Sequence, residues 1–226
     1  MKRYREISRY RKSFDVVTNY AHYPVAVFLC TLLSYTAITP NQVTALAVAV
    51  ELIAAFLIFQ DSSPNLLLVA LLLQLGWILD LMDGLLARYK KVGFYNPEKP
   101  SIRGYYLDAV SDHVLKFILL GSLTYQFALY NDGGWILGLI AIVIHGITQT
   151  EHTLRKLIQK SGVQSIPANK SNQKFVNHIP LILNNIYLFY IVFLPINRID
   201  LFFYTFAFAE MILFTKRIFQ FWKLNP

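Results

Sequence analysis

The stretch GWILDLMDGLLARY, residues 76–89, places two aspartates and an arginine at the end of a run of residues that otherwise suits lipid. Each residue of an α-helix advances by about 100° around the axis, so Asp80, Asp83 and Arg88 share one face and the bulky apolar residues cover the other. An ionised carboxylate is costly to bury without a partner. This face therefore predicts a functional site at the end of a membrane helix.

The composition of the chain indicates an integral membrane protein. Of its 226 residues, 55% are hydrophobic and only 15% are charged, and the mean hydropathy is positive. The net charge of +8 then indicates loops lying against an anionic membrane surface, and we expect no nucleic-acid partner. The single cysteine, Cys30, excludes a disulfide framework and a cysteine-based metal site. We expect no removable signal peptide at the basic amino terminus.

Six segments are apolar and long enough to cross a bilayer, which takes about 20 helical residues. They are 41–60, 66–88, 105–130, 134–160, 177–196 and 199–222. With six spans, the four basic stretches of the chain fall on one side of the membrane: residues 1–23, 88–103, 155–174 and 216–223. The positive-inside rule therefore predicts a multi-pass protein with both termini, and the aspartates, facing the cytoplasm.

The segment 22–36 is a possible seventh span. Counting it would move the amino-terminal charges to the side opposite the other basic stretches, so we prefer a helix lying in the membrane interface. The predicted fold class is an all-α integral membrane protein with six transmembrane helices plus an N-terminal interfacial amphipathic helix. We expect a single domain overall, in which residues 1–38 form the cytoplasmic amino terminus and interfacial helix and residues 39–226 form the catalytic bundle.

A second acidic face follows on the next predicted helix, where Gly104, Asp108, Asp112 and Lys116 stand at four-residue steps. The two helices run in opposite directions from the loop 89–103, so counting at 1.5 Å per residue brings all four aspartates to a similar depth. Four carboxylates that repel one another need protons, basic partners or metal ions.

Oxygen ligands favour a hard cation, so we predict two Mg²⁺ or Mn²⁺ ions, whose charge would balance the four carboxylates. A paired-metal site suits phosphoryl transfer. Gly84 and Gly104 would leave room for a phosphate or nucleotide to approach the backbone, and Arg88 at the cytoplasmic mouth would contact that phosphate or pair with an aspartate.

These residues resemble the signature of the CDP-alcohol phosphotransferase family, D-x2-D-G-x2-A-R followed by G-x3-D-x3-D. All eight fixed positions match, and the turn TPNxxT before the first predicted span is also similar. The matching positions are Asp80, Asp83, Gly84, Ala87, Arg88, Gly104, Asp108 and Asp112. The loop 89–103 departs from the pattern because it is longer than the family usually has.

The resemblance implies a phospholipid-synthesis enzyme that transfers a phosphatidyl or related phospho-alcohol group from a CDP-linked donor, such as CDP-diacylglycerol, to an alcohol acceptor with release of CMP. It implies that Asp80, Asp83, Asp108 and Asp112 bind the metals and that Asp112 is the general base. It also implies a homodimer embedded in membrane lipid. The implied donor pocket consists of Pro40, Asn41, Thr44, Gly84, Ala87, Arg88, Gly104 and Asp108.

The acceptor is harder to predict. A phosphate-bearing acceptor would need fixed cations, for which Lys116 and Arg155 are the candidates, together with His152, Lys156, Lys160 and Lys170. An ion pair with Glu51 or with a site aspartate is the alternative role for Lys116. We interpret His113 and His145 as packing residues, and Asn184 and Asn185 as hydrogen-bonding groups between helices.

Two other functions remain open from the sequence alone. An intramembrane prenyltransferase also uses aspartate-rich motifs and Mg²⁺, but lacks the D-G-x2-A-R continuation and needs more spans. A cation or proton transporter would use the aspartate cluster as a relay, but no chain of acidic residues continues to the far side.

Overall fold

A computed structural model describes residues 2–12, 14–60, 63–160, 182–183 and 185–224, without the side chains of residues 105, 152, 155–160, 220–221 and 223–224. All the regular structure in these residues is helical. The helices are α1 (Lys2–Ser8), α2 (Tyr23–Leu33), α3 (Pro40–Gln60), α4 (Leu66–Lys90), α5 (Arg103–Tyr130), α6 (Gly134–Lys160), α7 (Ile186–Phe193) and α8 (Ile199–Leu224). A π-helical turn, Thr18–His22, leads into α2, and a 3₁₀ turn, Gly93–Tyr95, lies between α4 and α5.

The helices coincide with most of the predicted spans. Three stretches of the described chain are long and apolar enough to cross a membrane: Pro40–Gln60, Leu66–Tyr95 and Gly134–Glu151. Helices α5 and α8 are 28 and 26 residues long, but each carries at least four charged residues. Of the fifth predicted span, 177–196, residues 177–181 and 184 lie outside the described residues.

Helix α2, which continues directly from the π-helical turn, covers residues 23–33 of the possible seventh span. Its 11 residues extend about 16 Å, roughly half the hydrocarbon thickness of a bilayer. It packs against α4 and α1. The three candidate membrane spans of the described chain all begin at or after Pro40.

Helix boundaries near the site follow from local capping. The Thr39 N–H donates to Gln42 Oε1 at 2.8 Å, and the Gln42 N–H donates to Thr39 Oγ1 at 3.3 Å, which is a capping box at the start of α3. Because Thr39 and Gln42 form this cap, the Asn41 side chain is left for another contact. Helix α4 ends at Lys90, and the next residue, Lys91, has a left-handed φ of 52°.

Two hydrophobic clusters hold the bundle. The larger joins α3, α4, α5, α7 and α8 around buried side chains such as Leu73, Leu119 and Phe202. The smaller cluster lies at the other end of α4, where Leu85 and Leu86 pack with α2 and with the amino-terminal segment, residues 2–12 and 14. Since the aspartates also lie on that half of α4, the second cluster positions the amino-terminal segment beside them.

Candidate active site

Three of the four predicted metal ligands meet between α4 and α5. Asp80, Asp83 and Asp108 each place one carboxylate oxygen so that all three lie within 4.8 Å of one another. Asp83 is buried, and the other two are half-buried. Three oxygen donors at this spacing could hold a hard divalent cation, because the repulsion between the carboxylates is relieved by a shared positive charge.

The fourth aspartate lies beside this cluster but is paired differently. The Lys116 Nζ donates to Asp112 Oδ2 at 2.7 Å, one turn along α5, and His113 Nδ1 lies 3.9 Å from the same oxygen. Asp112 is still close enough to act electrostatically on Asp80 and Asp108. The structure thus gathers three carboxylates and sets the fourth next to a lysine, as in the alternative role considered for Lys116.

Helix α3 supplies contacts to both acidic helices. The Thr44 hydroxyl donates a hydrogen bond to Asp83 Oδ2. Asn41 faces Gly104, where an added Cβ would lie 2.9 Å from Asn41 Oδ1. The glycine therefore permits the close approach of α3 to the start of α5, and the two α3 side chains complete the wall of the site.

Arg88 is positioned by the amino-terminal segment. Its Nε donates to the Tyr10 carbonyl at 2.9 Å, and its guanidinium carbon lies 5.9 Å from the centre of the Tyr95 ring. A Cβ at Gly84 would lie 3.2 Å from Arg88 Nη1, so the glycine makes room for this arginine. The described hydrogen bond of Arg88 is to this carbonyl, and its contact with a phosphate stays a prediction.

A cavity of about 540 Å³ opens in front of these residues. All eight positions predicted for the donor pocket line it: Pro40, Asn41, Thr44, Gly84, Ala87, Arg88, Gly104 and Asp108. Neither Lys116 nor Asp112 is among the lining residues, and the side chain of Arg155 lies outside the described part of the chain. A larger apolar groove of about 690 Å³ between α5, α6 and α8 contains none of the site aspartates.

Several lining residues were not predicted from the sequence. The charged and aromatic ones among them are Lys12, Lys90, Phe94, Tyr95 and Arg103. Four of these lie in the long loop 89–103, which the sequence marked by its length and by its basic and aromatic residues. No local pattern marked Lys12, which reaches the cavity from the amino-terminal segment.

The long loop is folded over the cavity by its own hydrogen bonds. Gly93 adopts a left-handed φ of 61°, and its carbonyl accepts from the Ser101 N–H at 3.0 Å. The Asn96 Oδ1 accepts from the N–H groups of Glu98 and Lys99. These bonds hold Phe94 and Tyr95 at the mouth of the cavity.

Other polar residues singled out in the sequence make contacts between elements. The Tyr187 hydroxyl donates to Glu51 Oε1 at 2.8 Å, and His145 Nδ1 lies 2.8 Å from Glu210 Oε1 in the interior. Asn185 Nδ2 donates to Asp15 Oδ2 at 2.8 Å. His145 and Asn185 are thus packing and bridging residues, while Lys170 and Asn184 lie outside the described residues.

Comparison with known proteins settles the family. The model of the CDP-alcohol phosphatidyltransferase family matches residues 37–221. This chain belongs to that family. The chain is therefore a phosphotransferase enzyme of the CDP-alcohol phosphatidyltransferase type, and the prenyltransferase and transporter interpretations lose their support. The first 36 residues lie outside the matched range.

Solved structures show the same fold. Mycobacterium tuberculosis phosphatidylinositol phosphate synthase (PgsA1) in complex with manganese and citrate is 20% identical, with a TM-score of 0.59, over 91% of this chain and 90% of that one. The same enzyme with CDP-DAG bound is 19% identical, with a TM-score of 0.58, over 91% and 96% of the two chains. No curated protein sequence is similar enough to match this chain.

Proposed function

We propose that this CDP-alcohol phosphatidyltransferase transfers a phosphatidyl or related phospho-alcohol group from CDP-diacylglycerol, or a similar CDP-linked lipid, to an alcohol, and releases CMP. The observation that carries the proposal is the three-carboxylate cluster of Asp80, Asp83 and Asp108 beside a cavity lined by every predicted donor-pocket residue. The manganese and CDP-DAG complexes of the structural relative support the same assignment.

The donor set of the cluster fits a divalent cation, and we assign Asp80, Asp83, Asp108 and Asp112 as ligands. Two Mg²⁺ or Mn²⁺ ions held there would neutralise the donor's pyrophosphate and stabilise the oxygens between which the phosphoryl group is transferred. Thr44 orients Asp83 through its hydroxyl. Such outer contacts fix the direction in which a ligand's lone pairs point.

We assign Asp112 as the general base. Its ion pair with Lys116 holds the carboxylate in place one turn along α5. The acceptor hydroxyl loses its proton to Asp112, its oxygen attacks the lipid-side phosphorus, and the bond from that phosphorus to the CMP oxygen breaks. Lys116 acts as a positioning residue for this base.

The CDP part of the donor occupies the 540 Å³ cavity. Pro40, Asn41 and Thr44 form its α3 side, and Gly84, Ala87 and Gly104 let the nucleotide approach the helix backbones. Arg88 contributes positive charge for the phosphates at the mouth. The lipid chains remain in the bilayer beside the helices, which explains a site placed near one end of the bundle.

The membrane arrangement belongs to the same proposal. Six transmembrane helices formed by residues 39–226 would place both termini and the cavity on the cytoplasmic side, with α2 in the interface. The protein would form one domain, including residues 1–38, and a homodimer. Thiol labelling of single cysteines placed in the loops from either side of sealed vesicles tests the orientation, and mass measurement in detergent tests the dimer.

A panel of acceptors tests the reaction. Purified protein is given CDP-diacylglycerol, Mg²⁺ or Mn²⁺ and one alcohol at a time: glycerol 3-phosphate, inositol, inositol phosphate, serine, choline or a phospholipid. We expect CMP release with one of them, and a phosphate-bearing acceptor if Arg155 and Lys116 serve as its cations. The Asp112→Asn variant should fold and bind donor but release no CMP; full activity in it would refute the assignment of the base.

A further inference from the structure

The amino-terminal segment enters the cavity although it lies outside the family match. Lys12 and Asp108 both line this cavity. The Tyr10 carbonyl holds Arg88, which lines the same cavity, at 2.9 Å. Lys12 and the Tyr10 carbonyl thus connect the amino-terminal segment to the site, the first by lining the cavity and the second by holding Arg88.

This placement is fixed by contacts with the interior. The Lys12 N–H donates to the Tyr23 hydroxyl at 3.1 Å, and Tyr23 is only 1% exposed. The Phe14 ring packs against the Tyr23 ring and edge-on against the Trp77 ring of α4, with 5.7 Å between the Phe14 and Trp77 ring centroids. The Tyr10 and Tyr89 rings lie edge to face, with 6.4 Å between their centroids. The backbone at Lys12 is therefore anchored where this residue lines the cavity.

The neighbouring arginine shows that exposure and charge alone do not bring a side chain into this cavity. Arg11 is also exposed, but its Nε donates back to the Ser8 carbonyl at 3.2 Å, and it does not line the cavity. A lysine that only binds an anionic membrane surface does not require a backbone hydrogen bond to a buried tyrosine or a position in the cavity wall.

We propose that Lys12 binds a phosphate oxygen of the CDP-linked donor and that the Tyr10 carbonyl positions Arg88 for the same phosphates, so that the amino-terminal segment completes the donor site. The inference rests on the proposed function. An ammonium group is a point donor that can follow a phosphate oxygen, and its bond to that oxygen is charge-assisted. Tyr95 of the long loop also lines the cavity, and its ring centre lies 5.9 Å from the guanidinium carbon of Arg88.

Steady-state kinetics of CMP release test the role of Lys12. In Lys12→Gln we expect the donor KM to rise about 10- to 100-fold, the cost of one charge-assisted hydrogen bond, with little change in kcat or in the acceptor KM. Lys12→Arg should recover most of the affinity. The matched control Arg11→Gln should stay within about twofold of the wild type, as expected of an exposed charge.

Chemical restoration of the charge separates binding from folding. In Lys12→Cys, modification with aminoethyl methanethiosulfonate attaches an ammonium group, whereas methyl methanethiosulfonate attaches only a methylthio group. Cys30 is buried, so the new cysteine is the reactive one. We expect the cationic reagent to lower the donor KM and the neutral reagent to leave it high, both measured on the same folded preparation.

The outcomes distinguish this inference from the proposed function. If wild-type protein releases no CMP from any CDP-linked donor, the proposed function fails. If wild-type protein is active but Lys12→Gln keeps the wild-type donor KM, or if only the acceptor KM rises, the assignment of Lys12 is wrong while the function stands. Equal effects of the cationic and neutral reagents would also overturn it.

Discussion

Replacing Gly76 of α4 by alanine should destabilise the protein, although alanine is the better helix former. By helix propensity alone, the exchange would stabilise the protein by about 1 kcal/mol. However, the new Cβ would lie 2.6 Å from Glu51 Cγ and 2.8 Å from Glu51 Oε1. Glu51 is only 3% exposed and accepts the Tyr187 hydroxyl bond through that same oxygen, so it has little room to move.

The expected size follows from these contacts. Overpacking costs about 1–3 kcal/mol, and losing a buried hydrogen bond costs about 1–3 kcal/mol. Subtracting the gain in propensity leaves a net destabilisation of about 1–5 kcal/mol. Each kcal/mol corresponds to about 2–4 °C in Tm at this chain length.

Thermal unfolding in one detergent, followed by circular dichroism, compares Gly76→Ala with Gly121→Ala. A Cβ at Gly121 meets nothing within 4 Å, so this control should be as stable as the wild type or slightly more stable. In a Tyr187→Phe background, where the hydroxyl bond to Glu51 is already absent, Gly76→Ala should lower the Tm by less than it does in the wild type. An unchanged or raised Tm in Gly76→Ala would refute the reasoning.

Three further predictions concern the site and its surroundings. Thr44→Val, which removes the hydroxyl bonded to Asp83, should raise the Mn²⁺ concentration for half-maximal CMP release by about 10- to 100-fold, while Thr44→Ser should not. Gly104→Ala, whose Cβ would press on Asn41 Oδ1 at 2.9 Å, should raise the donor KM about tenfold with kcat nearly kept. Burial raises the pKa of the Cys30 thiol to about 11. Iodoacetamide should therefore label this thiol slowly at pH 8, faster as the pH rises, and readily after unfolding. Fast labelling of the folded protein at pH 8 would contradict the burial of Cys30.

The sequence predicted those parts of the site that lie on regular helices. The helical period placed Asp80 and Asp83 on one face and Asp108 on the facing side of the next helix, and the structure brings these three together. The motif glycines Gly84 and Gly104 were predicted to make room for a phosphate or nucleotide; they do line the cavity, and the atoms nearest to them belong to Arg88 and Asn41. Periodicity works here because these helices are long and continuous.

Contacts between distant parts of the chain could not be predicted in this way. Arg88 and the Tyr10 carbonyl are 78 positions apart, and no local pattern links them. Counting depth along α5 gave Asp112 a place among the ligands but could not show that Lys116 would pair with it, since side-chain direction depends on neighbouring helices. The cap at Thr39 depended on Gln42 three positions on, a detail that the turn TPN does not reveal by itself.

The most direct test of the account is the metal dependence of CMP release from CDP-diacylglycerol by the purified protein, the Asp80→Asn variant and the Asp200→Asn variant. Asp200 pairs with Arg198 at 2.7 Å, on a half-exposed surface that does not line the cavity. We predict that the wild type and Asp200→Asn release CMP only with Mg²⁺ or Mn²⁺, lose activity with a chelator and regain it when metal is added, while Asp80→Asn is inactive. Release that persists in the chelator, or in Asp80→Asn, would contradict the central claim.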